Sequence, residues 1–432
     1  MFAAFSPTAA AELGGPEWLV ARRRAAADAF ASAQPPDASA DEWRYSLIDE
    51  FDLDRFAPSS QFGDAPMPRL DVEPAALIRC VNGRVMFVDV DQELVDLGVH
   101  IGPLADDDHG QTRLGSVADD ASDYFTLLND AFMDWPVLID IPPGVVVDRP
   151  IVVTHHAAGD GGAAFPRLVV RIGEGAQADV MDLHTSETDD HILMCPVVEL
   201  DVEAMGRLGY LKVQEQGENT WQFGSVLARV DRAARVSAAT AAFGGAYART
   251  RADTRLTGQG AHGDLMAISF GEAEQTLDFR THQDHVARDT TSNLLYKGVV
   301  AGRSRSVYTG LTRVRPDAAG AVATQINRNL KLSDDAKADS VPSLEIENDD
   351  VSCSHDSTVS PVDDDQRFAL EARGVSTDEA ERLIVAGFLG EVLDAVPVQS
   401  AVPALKSAIT AKLARQRALD AAADADPEME AV

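Results

Sequence analysis

From Val145 onward, starting at "VVVDRPIVVTHH", apolar residues recur at every second position in short runs. That is the period of a pleated strand, whose side chains alternate sides. A small residue opens successive runs at Ala176, Gly206, Ala234 and Ala261, spaced by about 27–30 residues, the scale of repeat architectures. Two later copies, Ala321 and Ala336, lie closer together. Short strands with small residues at their corners and no long helices between them predict a solenoid of stacked β-turns. In such a rod each rung pairs with the rungs above and below, and only the ends need covering. A β-sandwich is the rival, but it requires hairpins throughout, and Asn-Gly or Asp-Gly pairs are few after residue 150.

The flanks carry other periods. In "GGPEWLVARRRAAADAF" Pro16 suits a first turn, and Trp18, Leu19, Arg22 and Ala26 follow helical spacing. "EWRYSLIDEFDLDRF" reads as more helix after the break at "AQPPDASAD". "ALIRCVNGRVMFVDV" predicts two strands joined by a tight turn at Asn82-Gly83. Residues 121–133 again predict a helix. After Pro361, Ser376 and Glu379 form a capping box, Leu383, Ile384, Gly387 and Phe388 make one apolar face, and Leu405, Ile409 and Leu413 another. "DAAADADPEMEAV" reads as a disordered tail. The expected organisation is a helical region over 1–65, a mixed connecting region over 66–145, the solenoid over 146–365 and a helical region over 366–432.

Composition is that of a globular protein, with 45% hydrophobic residues, but 70 Asp+Glu against 37 Lys+Arg give a net charge of −33. Such a surface repels phosphate backbones and anionic lipids, so nucleic acid and membranes are not expected as partners. The charge reads as adaptation to the salty cytoplasm of a halophile, where screening shortens to about 3 Å at molar salt. No secretory leader and no run of about 18 apolar residues is seen. Three cysteines, Cys80, Cys195 and Cys353, make no disulfide framework and fit a reducing cytoplasm. The first two lie in apolar runs and read as buried structural thiols.

Several chemistries lack their signatures: no phosphate-binding loop, so no ATP site of that kind, no nucleophile elbow and no Cys-x-x-Cys pair. His155-His156 and His282-x-x-His285 could bind a metal, but without an adjacent Glu at a known spacing they favour structural or hydrogen-bonding roles. "PVDDDQ" offers carboxylates to a glycosidase or lyase, though in so acidic a chain it reads as a solvated face. Cys353-Ser-His355 is the sharper candidate. On a strand the two point the same way, about 7 Å apart. Ligands of one tetrahedral ion sit only about 3.5 Å apart, so a flat strand cannot close a mononuclear site. It can offer ligands to a cluster several ångströms across, if a second chain supplies the rest; buried packing is the plain alternative.

The stretch from "GRSRSVYTG" through "NRNLKLSDDAKADS" and "CSHDSTVSPVDDDQRFALEARGVSTDEAERLIVAGF", almost ninety residues, resembles the C-terminal signature of the SufB/SufD family, the scaffold of the SUF iron–sulfur cluster assembly system. "QTLDFRTHQDHVARDTTSNLLYKGVV" resembles the family's core, and "PEWLVARRRAAADAF" with "DEWRYSLIDEFDLDRF" its SufD-type N-terminal region. SufB proteins carry a cysteine in "CDALLLSD" where this chain has Asn327 in "NRNLKLSD". An amide cannot serve as thiolate ligand or persulfide carrier. "CSHDSTV" is similar to the SufD pattern "CSHGATV", with Asp356 in place of glycine.

The resemblance implies a mainly β chain with a right-handed parallel β-helix core between helical regions. It implies a non-enzymatic scaffold subunit that pairs with SufB and docks the ABC-type ATPase SufC on helices near 366–395, with Leu383, Ile384 and Phe388 at the docking face. It further implies that His355, with Cys353 beside it, helps hold a transient Fe–S cluster shared with SufB. An isolated chain can also be expected to pair with itself. Cluster type and flavin binding are left open by these residues. Two other readings stand beside this one: a β-helix carbohydrate hydrolase or lyase, and a SufB-like homodimeric scaffold, against which Asn327 argues.

Overall fold

In-register stacking is the organising fact of the computed structural model, which describes residues 3–63, 73–121 and 123–425. Two sheets run the length of a rod. One orders its strands from Lys337–Ile346 back through Arg305–Val314, Thr276–His285, Tyr247–Leu256, Thr220–Val230, Val197–Val202, Arg167–Ile172 and Val137–Ile141 to His100–Pro103. The other runs from Val351–Pro361 back through Ala321–Lys331, Thr291–Val300, His262–Gly271, Arg235–Ala242, Arg207–Glu215, Gln177–Ser186 and Ile151–Ala157 to the hairpin Ala76–Val81 and Arg84–Val90. The chain alternates between the sheets, and successive strands within each pair in parallel, as in Gln325↔His355 and Tyr296↔Asn327. Antiparallel pairing is confined to the first-laid end of the rod. This is a parallel β-solenoid, as the small-residue period predicts.

The corners explain that period. Ala176, Gly206, Ala234, Ala261 and Ala321 each precede or open a strand of the second sheet, where the turn leaves little room for a side chain. Thr290, fully buried, holds the same corner in the rung between Ala261 and Ala321. Ala336 lies at the opposite corner, before Lys337–Ile346, which is why it falls so soon after Ala321.

Alternation sorts each strand into an inner and an outer face. Inner residues such as Ile151, Val170, Val180, Leu200, Val236 and Leu265 fill the rod. Outer residues of the second sheet, among them Val152, Leu211, Ile268 and Val299, lie under the C-terminal helices through Val385, Leu389, Leu405, Ile409 and Leu413. Outer residues of the first sheet, Phe223 and Tyr247, lie under the N-terminal segments through Phe30, Trp43, Phe51 and Phe125, and Phe125 stacks on Phe223 with centroids 3.7 Å apart. Buried Glu199 fastens the 110–121 loop to the rod. It pairs with Arg167 at 2.7 Å and accepts from the backbone N–H groups of Gly115, Val117 and Ala118.

The flanks differ in detail from expectation. Helices cover Pro7–Glu12, Glu17–Ser32 and Tyr124–Phe132, and Asn82 (φ 50°) with Gly83 (φ 84°) makes the tight turn. "EWRYSLIDEFDLDRF", however, folds into single 3-10 turns at Asp41–Trp43, Ile48–Glu50 and Leu53–Arg55. Its buried residues, Trp43, Ile48, Leu53 and Phe56, do not follow a 3.6 period, so each turn buries one anchor and stops. Ser376 Oγ accepts from Glu379 N, but the Glu379 carboxylate turns to Arg382, so only half of the capping box forms. The last helix, Val402–Ala425, runs into the stretch read as a disordered tail; residues 426–432 lie outside the described residues.

Candidate functional site

The second sheet ends at Val351–Pro361 and the first at Lys337–Ile346, so the last-laid end of the rod carries two strands whose outer edges pair with no strand among the described residues. Register fixes what these strands display. Cys353, His355 and Ser357 stand over Ala323, Gln325 and Asn327, whose side chains are buried inside the previous rung. They therefore belong to the inner row of the last rung, and Ser357 Oγ meets Ser340 Oγ of the facing strand at 2.7 Å. No further rung covers them among the described residues. His355 is exposed, while Cys353 is half-buried against Val314, Ala318 and Ala321. Burial raises the Cys353 thiol above its ordinary pKa, opposed by a backbone hydrogen bond from Ala323. At rest it is a thiol and becomes a strong ligand only on losing its proton.

Asp356 points to the opposite face and meets Arg328 at 3.2 Å, away from the Cys-x-His row. Asn327 is buried beneath Ser357, its Oδ1 accepting from Asn329 Nδ2 at 3.0 Å. Val341, Ile346 and Val359 are exposed on the two end strands. These ten- and eleven-residue strands leave a row of backbone N–H and C=O groups without a strand partner among the described residues.

A groove of about 720 Å³ adjoins this end, lined by Ser360 and Pro361 of the last strand and by Leu370, Leu383, Ile384 and Phe388 of the helices. The helix Thr377–Leu393 is held to the rod by Lys297, whose Nζ reaches Phe388 O at 2.9 Å and Glu391 at 2.7 Å.

The other candidates resolve as follows. Cys80 and Cys195 are buried thiols. His282 and His285 point to opposite faces and share no site; His285 is buried between Thr290 and Ser292, and His282 lines an outer cleft of about 490 Å³. That cleft is walled by Arg229, Arg251, Arg255 and Arg315 with Asp253 and Asp284, and contains no aromatic platform for a sugar. Asp363 of "PVDDDQ" caps a helix, accepting from Asp365 N and Gln366 N. His156 turns outward to Thr185 and Glu187. His155 turns inward, to a buried group with Asp182 and His184 that sequence reading missed; the Asp-x-His spacing within Gln177–Ser186 was its only signal. No described helix is long and apolar enough to cross a membrane.

Fold and site together define a parallel β-solenoid protein with an open last rung that displays a thiol and an imidazole. Residues 154–388 match the family model for the SUF system FeS cluster assembly SufBD core domain. The chain is 33% identical over 316 residues to an iron–sulfur cluster assembly SufBD family protein of Mycobacterium tuberculosis, covering 70% of this chain and 76% of that one. It is 25% identical over 373 residues to the iron–sulfur cluster assembly protein SufD of Escherichia coli, covering 84% and 85%. To SufD of Bacillus subtilis it is 35% identical over 160 residues, 37% of each chain. The chain belongs to the SufBD family of the iron–sulfur cluster assembly system, as its C-terminal signature suggested.

Proposed function

We propose that this chain is a SufD-type scaffold subunit in the cytoplasm that pairs with a SufB-type partner through its last rung and shares a nascent iron–sulfur cluster with it. The observation that carries the reading is the uncovered inner row Cys353–His355–Ser357 at an unpaired sheet edge. A partner strand docking there satisfies the bare backbone groups and faces its own ligands toward His355. The cluster is cargo: the His355 imidazole binds iron directly, and Cys353 serves as a second ligand or a neighbouring thiol. Asn327 leaves this chain without the thiol that SufB-type sequences carry at that position, so the partner must contribute one. The groove at Leu383, Ile384 and Phe388 is the docking face for a SufC-type ATPase, and nucleotide hydrolysis belongs to that partner. Co-expression with SufB and SufC followed by anaerobic loading tests the site. His355→Ala should leave the complex intact by size-exclusion chromatography while iron and sulfide retained fall by about tenfold or more. Loading equal to wild type would remove His355 from the site.

A further inference from the structure

Deep in the rod, far from the open rung, three side chains converge with most of their polar atoms left without a hydrogen-bond partner. His155 comes from Ile151–Ala157; Asp182 and His184 come from Gln177–Ser186. His155 lies in register with His184, and Asp182 with Lys212. Relative exposures are 2% for His155 and 0% for both Asp182 and His184. Both nitrogens of each imidazole and Oδ1 of Asp182 have no hydrogen-bond partner. His184 Nε2 lies against Asp182 Oδ2 at 2.9 Å as an ion-pair contact, and His155 Nε2 is 3.6 Å from Oδ1. One donor atom from each residue falls within 4.8 Å of the others. Buried polar atoms in native proteins find partners, so several orphans aimed at one point require an explanation.

We propose that His155, Asp182 and His184 form a binding site for one borderline divalent cation of the zinc or ferrous class. Two imidazoles and a carboxylate suit such ions, whereas magnesium and calcium require oxygen ligands throughout. Bonds of about 2.0–2.2 Å place ligand atoms roughly 3.3 Å apart, so small side-chain rotations close the set. Tyr210 Oη donates to Asp182 Oδ2 at 2.7 Å and orients the carboxylate as an outer-shell partner does. Lys212 Nζ, also partnerless, is the competitor for the same carboxylate when no ion is bound. The site lies six strand steps from Val351–Pro361, about 29 Å away, and so is separate from the Cys353–His355 row. An ion there would staple two successive rungs near the first-laid end.

The test uses the full chain with Cys353→Ser and His355→Ala, so that the open rung cannot contribute metal. It is expressed with cobalt(II), desalted over a chelator, and assayed for metal and by X-ray absorption. About one cobalt per chain is expected, with outer-shell scattering from imidazole. His155→Gln or His184→Gln should lower retained metal by about tenfold or more with unchanged circular dichroism, and Lys212→Met should raise it. Negligible cobalt in the parent, a spectrum without imidazole scattering, or equal retention in His184→Gln would each overturn the assignment. Should the glutamine variants fail to fold, the parent's absorption spectrum decides alone.

Discussion

His285 shows how this interior treats a titratable residue. Its Nδ1 faces Thr290 Oγ1 and its Nε2 faces Ser292 Oγ, each at 2.8 Å. Burial pushes its pKa from 6.5 down to about 4, although Asp284 pulls the other way. The unfolded chain takes up a proton through pH 6.5, while the folded chain refuses it until about pH 4. Stability from this residue is therefore complete above pH 6.5 and lost as pH falls toward 4, by at most about 1.4 kcal/mol per pH unit. Guanidinium unfolding of wild type and His285→Gln across that window should give stability curves of different slope, the wild type falling more steeply as pH drops. Parallel curves would mean that the imidazole is not held neutral. Legibility at this scale followed strand parity. Cys353 and His355 are two apart on one strand, so their common direction could be read directly. His155 meets His184, 29 positions on, through register alone, and its adjacency to His156 was a false lead because neighbours on a strand face opposite ways.

Among elements, the helix Thr377–Leu393 divides its residues cleanly. Val385, Leu389 and Val392 are buried against the rod, while Leu383 is 41% exposed and shares the groove with Ile384 and Phe388. Because Leu383 contributes little to the core, Leu383→Glu should change unfolding free energy by less than about 1 kcal/mol. If the groove receives the ATPase, calorimetric affinity for a SufC-type partner should fall about tenfold or more, as at the centre of an interface. Unaltered affinity would move the docking face elsewhere. Helices with an apolar face and strands opened by a small residue could be read from the sequence. The rung opened by Thr290 could not, because a buried threonine in a corner looks like any strand threonine. Nor could the 3-10 turns near the N-terminus, which take their shape from the aromatic cluster they cover.

For the whole molecule, charge and topology pull against each other. A net charge of −33 repels itself across the surface, while many rung-to-rung pairs such as Arg229–Asp201 and Arg305–Asp339 stitch the rod locally. Salt weakens both, but the unbalanced excess is the larger and longer-ranged effect. Raising potassium chloride from about 0.1 M to about 2 M should therefore raise the melting temperature by several degrees, read by scanning calorimetry. A fall would show that the local pairs dominate. The rod itself was legible because stacking imposes a period. Which rung stays bare was not, since that depends on where strand addition stops.

The unbroken parallel register has one more consequence. Each added or removed repeat shifts the two ends of the molecule by a fixed increment of about 4.8 Å and by nothing in between. The gap between the hairpin Ala76–Val81/Arg84–Val90 at the first-laid end and the Cys353–His355 display is thus an integer quantity. Evolution can lengthen or shorten such a body like a ruler cut only at its marks, with the chemistry at its tip left in the same orientation.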